Sequence, residues 1–246
     1  MSLSQDPAFS VNPAVRRRKT IELKPGTDRS RLSLGWYRYV QSFSMQLTML
    51  SGIRATGREN IPKEGGVLLI SNHLSHFDVF VLALLVPRPL NYVARSSLFN
   101  PVLGPFIRSI GAFPIQRDGV GAQGMKESLK RLRSGCIVTF FPEGTRSSDG
   151  RLAALKPGIA ALASRAGVPV VAAGIAGTFE SWPRTARFPR PHPVHVHYGQ
   201  PVPFAELENL PSDKVISLLH LRLEESVAVA RERLDRTLCR STQSDA

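Results

Sequence analysis

The chain has 246 residues, 42% of them hydrophobic and 21% charged, enough for one large core or two modest domains. That composition excludes wholesale disorder, collagen-like repeats and a polytopic membrane protein. Lys and Arg number 32 against 19 Asp and Glu, and the resulting formal net charge of +13 suits nucleic acid, anionic lipid headgroups or phosphorylated substrates without choosing among them.

Residues 1–29 read as a flexible basic arm, with Pro7, Pro13, Pro25 and Gly26 spaced through polar sequence around Arg16-Arg17-Arg18-Lys19. The basic cluster follows the interrupted segment Met1–Val15 instead of leading an apolar core, so no signal peptide is expected. No window reaches the roughly 18 apolar residues of a transmembrane span. From Ser30 to Gly52 the pattern is helical: Leu32, Trp36, Tyr39, Val40, Phe43, Leu47 and Leu50 recur at spacings of three and four. No acidic residue lies between Asp28 and Glu59, so this amphipathic element either lies in a membrane interface or packs on the domain.

Short apolar runs then alternate with helical patterns, which indicates an α/β domain. Strands are expected at Val67–Ser71, Leu90–Ala94, Ala112–Ile115, Ile137–Phe141, Val168–Ile175 and Val194–Tyr198. Helices are expected at Phe77–Leu85, near Val102–Ile110, around Met125, Leu129 and Leu132, from Pro157 to Ala166, and over 212–238. Between the last two strands, Arg184, Arg187 and Arg190 punctuate a Pro-containing surface loop, Trp182–Pro193, open to lipid phosphates, to the nucleotide of CoA or, as the default for an exposed charge cluster, to nothing. In the final strand, Val194, Val196 and Tyr198 form the buried face, which leaves His195 and His197 solvated and carrying no metal. Cys136 and Cys239 have no CxxC partner and are expected as free thiols in a reducing compartment. The expected fold is therefore α/β, a mixed, largely parallel sheet flanked by helices, with residues 30–240 forming one domain that includes the N-terminal helix (30–52).

Two segments carry the chemistry. Ser71-Asn72-His73-Leu74-Ser75-His76-Phe77-Asp78 lies between a buried strand and a helix, where functional groups collect in α/β folds. His73 is suited to take a proton near neutral pH, and a carboxylate such as Asp78 on its other nitrogen would fix its tautomer. Five residues of regular helix separate two side chains by about 140°, so His73 must sit in the turn before the helix to reach Asp78; His76 is a competitor, and taken alone a neighbouring His and Asp are more often structural than catalytic. The second segment, Phe140-Phe141-Pro142-Glu143-Gly144-Thr145-Arg146-Ser147, offers a carboxylate, a glycine, a hydroxyl and a guanidinium after a strand that ends in proline. Gly111–Arg117 delivers another arginine after a short strand, and Pro169 opens a valine-rich strand. The letters GVGAQG over Gly119–Gly124 lack the strand and later acidic residue of a dinucleotide fingerprint.

These four segments, in this order, resemble the glycerolipid acyltransferase family, whose best-known members are 1-acylglycerol-3-phosphate acyltransferases. The resemblance runs from about Ile53 to Phe204 and rests chiefly on the pair NHLSHFD and FPEGTRS. It implies that His73, oriented by Asp78, is the general base for a lysophospholipid hydroxyl attacking the thioester of acyl-CoA or acyl carrier protein. It further implies that Arg117 binds the acceptor phosphate, that Glu143, Gly144 and Thr145 shape the acceptor site, and that Arg146 is a second phosphate ligand. The donor is a co-substrate, and no cofactor or metal is expected. No GxSxG nucleophile elbow is present, in keeping with direct transfer. The enzyme is expected in the cytoplasm, peripheral at the inner face of the cell membrane. Two other readings stand beside this one: an acyltransferase for another lysolipid or an amine-bearing lipid, and a non-enzymatic protein that binds anionic membrane or nucleic acid. Against nucleic acid, no recognition-helix, zinc or RNA-binding pattern is present.

Overall fold

A computed structural model describes residues 52–86, 88–96, 99–101, 111–115 and 121–244, with single positions at 35, 39 and 107. Its elements run β1 (Ile53–Thr56), β2 (Val67–Ser71), α1 (Asp78–Leu85), β3 (Leu90–Arg95), β4 (Ala112–Ile115), α2 (Ala122–Arg133) and β5 (Ile137–Phe140). They continue as α3 (Gly158–Ala166), β6 (Val170–Ala176), α4 (Thr178–Ser181), β7 (Val194–Tyr198), α5 (Phe204–Leu207) and α6 (Ser212–Ser244). Gly35 and Tyr39 are helical and exposed; the rest of the N-terminal helix, the basic arm and the helix expected near 102–110, apart from position 107, lie outside the described residues.

The seven strands form one sheet in the order β1-β7-β6-β2-β5-β3-β4. Every neighbouring pair is parallel except β6 with β7. This is the mixed, largely parallel sheet that the alternation of short apolar runs and helices predicts. Strand β2 occupies the middle, and all five of its residues are buried because both faces are covered. Val67 and Leu69 pack with Val81 and Leu82 of α1 on one face. Leu68 and Ile70 belong to the opposite core, with Ile159 and Leu162 of α3 and Leu219 and Leu223 of α6. Each fully buried leucine of this kind contributes about 1.5–3 kcal/mol. Pro114 lies on β4, the sheet edge, where a missing ladder donor is tolerated. The start of β2 is fixed by Arg88, whose guanidinium donates to the carbonyls of Pro62, Gly65 and Gly135 at 2.7, 2.6 and 2.6 Å.

The long helix α6 corrects the sequence reading of the histidines. It runs to Ser244, beyond the expected end, and crosses the face of β6 and β7 opposite α1, with Leu219, Leu223, Val227, Ala230 and Leu234 buried along one stripe. Gly174 on β6 permits this approach, since a Cβ there would meet the backbone of Ser226 and Val227. Strand β7 is an interior strand between β1 and β6, so the histidine face that alternation assigns to solvent is roofed by α6. His195 is buried and His197 half-buried. Their Nε2 and Nδ1 atoms meet the Thr56 hydroxyl at 3.1 and 2.9 Å. Burial, reinforced by the positive charge of Arg233, lowers the His195 pKa to about 4.

Candidate active site

The expected site residues that fall among the described positions gather at the carboxyl end of β2 and β5, adjacent parallel strands in the centre of the sheet. Open α/β sheets bind ligands at this edge. The main chain leaves the sheet at Asn72, whose carboxamide takes over the next rung of the β2–β6 ladder. Its Nδ2 donates to the Ile175 carbonyl at 2.9 Å, and its Oδ1 accepts the Ile175 N–H at 2.8 Å. Freed from the ladder, residues 73–77 turn back over the start of α1.

Asp78 is the first residue of that helix and is fully buried. Its Oδ2 accepts three N–H groups: Nδ1 of His73 at 2.8 Å and the backbone amides of Leu74 and Ser75 at 2.7 and 2.8 Å. An oxygen already taking two backbone donors can only accept from the ring, so Nδ1 carries the proton and Nε2 holds the free lone pair. His73 sits in the turn before the helix, as its spacing from Asp78 requires. Its side chain keeps 19% of its surface exposed. Nε2 has no hydrogen-bond partner among the described residues. The ring stacks on Phe141, centroids 4.0 Å apart and planes 18° from parallel, which restricts its rotation.

The second motif grips the main chain of the same histidine. Glu143 Oε1 accepts the His73 N–H at 2.7 Å, while the His73 carbonyl accepts the Ser147 N–H at 2.7 Å. The other Glu143 oxygen accepts the Ala153 N–H at 2.9 Å, closing the loop that the motif begins. Glu143 is only 2% exposed, and burial raises its pKa against the lowering effect of the two amides. Both carboxylate oxygens are thus engaged in holding His73 and the loop together. Gly144 has φ 73°, the left-handed conformation that lets the chain reverse directly after Glu143. Gly144 and Thr145 are exposed, and Arg146 is half-buried. The Arg146 charge reaches His76, where burial and then that guanidinium lower the imidazole pKa.

Arg117 lies outside the described residues, although β4 ends at Ile115 on the same edge of the sheet. The site also contains groups for which the sequence reading assigns no role. Asn72 and Ser75 stand inside the first motif, where the residue types, a carboxamide and a hydroxyl directly after a buried strand, are the only local signal. The Ser75 hydroxyl donates to the Trp182 carbonyl at 2.7 Å and accepts the Phe77 N–H at 3.1 Å. The Trp182 ring lies 5.4 Å from that of His76. Among the described residues no group of three or more His, Cys, Asp or Glu could hold a metal ion, and no helix is long and apolar enough to cross a membrane.

The Acyltransferase family profile matches residues 52–176, the segment from the entry of β1 to the end of β6 that contains both motifs. The chain is 28% identical over 191 residues to the 1-acyl-sn-glycerol-3-phosphate acyltransferase of Bacillus subtilis, covering 77% of this chain and 93% of that protein. It is 34% identical over 131 residues to a chloroplastic 1-acyl-sn-glycerol-3-phosphate acyltransferase of Brassica napus, covering 52% of this chain and 38% of the plant protein. The crystal structure of the 1-acyl-sn-glycerophosphate acyltransferase from Thermotoga maritima matches the fold with a TM-score of 0.69 and 25% identity. That match covers 84% of this chain and 83% of the other.

Proposed function

This chain belongs to the Acyltransferase family, and from that premise we propose that it acylates the free hydroxyl of 1-acylglycerol-3-phosphate to give phosphatidic acid. The observation that carries the reading is the His73–Asp78 pair, held with Nε2 as the available base and with both the N–H and the carbonyl of His73 clamped. Relatives of bacterial and plant origin that carry this activity in their names support the choice of acceptor.

In the proposed reaction His73 Nε2 takes the proton of the acceptor hydroxyl as its oxygen attacks the thioester carbonyl of acyl-CoA or acyl carrier protein. The tetrahedral adduct collapses with cleavage of the carbon–sulfur bond. The leaving thiolate recovers the proton from the imidazolium, which returns His73 to its starting tautomer. Asp78 stabilises the transient imidazolium through Nδ1–H. Arg146 and Arg117 bind the acceptor phosphate, a role suited to guanidinium groups, and Gly144 and Thr145 flank it. Membership of an enzyme family removes the reading of a purely binding protein. An acceptor other than a phosphate ester stays as the second enzymatic reading, disfavoured by Arg146, whose charge reaches His76 in the first motif. The enzyme works as a peripheral protein on the inner face of the membrane, using its positive charge to reach anionic lipid.

The test is a matrix of thioesters against lysolipids with purified protein. Turnover with lysophosphatidic acid and its loss in His73→Ala, with an unchanged melting profile, is the expected result. Normal turnover in that variant removes His73 as the base, and turnover confined to acceptors without phosphate removes the proposed substrate. The donor arm of the same matrix separates acyl-CoA from acyl carrier protein.

A further inference from the structure

The loop Trp182–Pro193, between α4 and β7, is bound to the active-site turn yet has no role in the chemistry above. Its base is rigid. Arg190 N–H donates to the Ser181 carbonyl at 2.7 Å, the Ser181 hydroxyl donates to the Arg190 carbonyl at 3.0 Å, and the Trp182 indole donates to the Ala186 carbonyl at 3.1 Å. Prolines at 183, 189, 191 and 193 stiffen the rest. Through Trp182 the loop is hydrogen-bonded to Ser75, two residues from His73.

What this rigid loop presents is charge and one aromatic ring. Arg184, Arg187 and Arg190 are all exposed, and none of their guanidinium groups makes a hydrogen bond or ion pair among the described residues. No acidic residue occurs from Ser181 through Ala205, and Glu180 and Glu206 flank that interval. Phe188 is 70% exposed, with the Arg187 guanidinium 5.6 Å from its ring centroid. A soluble nucleotide is held in a concave site with its charges enclosed. An exposed ring between exposed guanidinium groups fits instead a surface that is apolar beneath and anionic above, as in an amphipathic membrane contact.

We propose that Trp182–Pro193 is a docking loop for an anionic phospholipid bilayer, with Arg184, Arg187 and Arg190 on the phosphates and Phe188 entering the headgroup region. Because the loop and the His73 turn are one hydrogen-bonded unit, docking sets the carboxyl edge of the sheet against the lipid surface from which the acceptor is drawn. This inference rests on the reading that the acceptor is a bilayer lipid.

The experiment is flotation of the full chain on phosphatidylcholine vesicles with and without phosphatidylglycerol. It compares the wild type with Arg184→Gln/Arg187→Gln/Arg190→Gln and with a charge-matched variant on α6, Lys214→Gln/Arg222→Gln/Arg236→Gln. The loop variant is expected to lose about fivefold in partition per arginine, roughly 100-fold in all, on anionic vesicles, with the α6 variant close to wild type. Partition of the loop variant within twofold of wild type, or an equal loss in the α6 variant, overturns the proposal. So does weakened binding of free CoA with unchanged partition. Flotation needs no turnover, so a protein that floats through this loop but fails to acylate lysophosphatidic acid refutes the substrate reading alone.

Discussion

Glu143→Gln separates two roles for a carboxylate in the second motif, a ligand for the acceptor or a brace for the base. The wild-type side chain is buried and accepts one backbone N–H on each oxygen, from His73 and from Ala153. Glutamine has the same shape but one acceptor oxygen, so its NH2 group must face one of those two donors. The variant loses one charge-assisted bond, about 1.5–3 kcal/mol, and leaves a buried N–H unpaired, about 1–3 kcal/mol. An offset runs the other way. Burial already raises the Glu143 pKa, so removing the charge recovers some desolvation energy. The net expectation is a loss of about 2–3 kcal/mol, which in a chain of this size lowers the melting temperature by about 4–12 °C. His73 loses a fixed main-chain position, and displacement of a base by a fraction of an ångström lowers kcat by about 10–100-fold. The assays are thermal unfolding and steady-state acyl transfer with both substrates varied. A variant that melts like the wild type and shows only a raised KM for the acceptor would refute the brace and return Glu143 to the acceptor site.

Asp78→Asn should lower kcat by about 10³–10⁴, because an amide in that position lets His73 adopt the tautomer with its proton on Nε2; kcat within tenfold of wild type would remove the orienting role. His195 has a folded pKa of about 4 against 6.5 unfolded, so its contribution to stability is complete above pH 6.5 and is lost as the pH falls toward 4. That loss amounts to about 3 kcal/mol. Denaturant titrations across this range should show it in the wild type and a flatter profile in His195→Gln; identical profiles would mean that the histidine is not buried neutral. Gly174→Ala drives a methyl group into the backbone of Ser226 and Val227 and should cost about 2–3 kcal/mol in chemical denaturation. A neutral result would show that α6 does not lie on β6.

The central strands were legible because they are continuous apolar runs, VLLIS and IVTF, and a strand buried on both faces has no other pattern. His73 and Asp78 were legible as a pair through the resemblance of NHLSHFD and FPEGTRS to a known family, and their spacing then requires His73 to sit in the turn before the helix. The geometry of Glu143 was not, since it depends on β2 and β5 lying side by side, and nothing local in Pro142-Glu143-Gly144 states which strand is the neighbour. The β7 histidines misled for the same reason. Alternation distinguishes two faces of a strand, but whether the second meets water depends on a helix that begins more than a dozen residues later. Strand β1 was missed outright, because IRAT is short, carries an arginine and borrows its stability from β7.

Asn72 has a kinetic consequence. Its carboxamide is chemically a peptide group mounted on a side chain, so the hydrogen-bonded ladder continues for one rung after the backbone has departed. The Ile175 amide proton is sealed by that rung within the middle of the sheet. Buried and paired in this way, it is expected to exchange with solvent only when the whole domain opens, which native-state hydrogen exchange would check. The turn that carries His73 hangs from this central rung. The His73–Asp78 pair is thereby tied to the middle of the sheet and not to the surface loops around it.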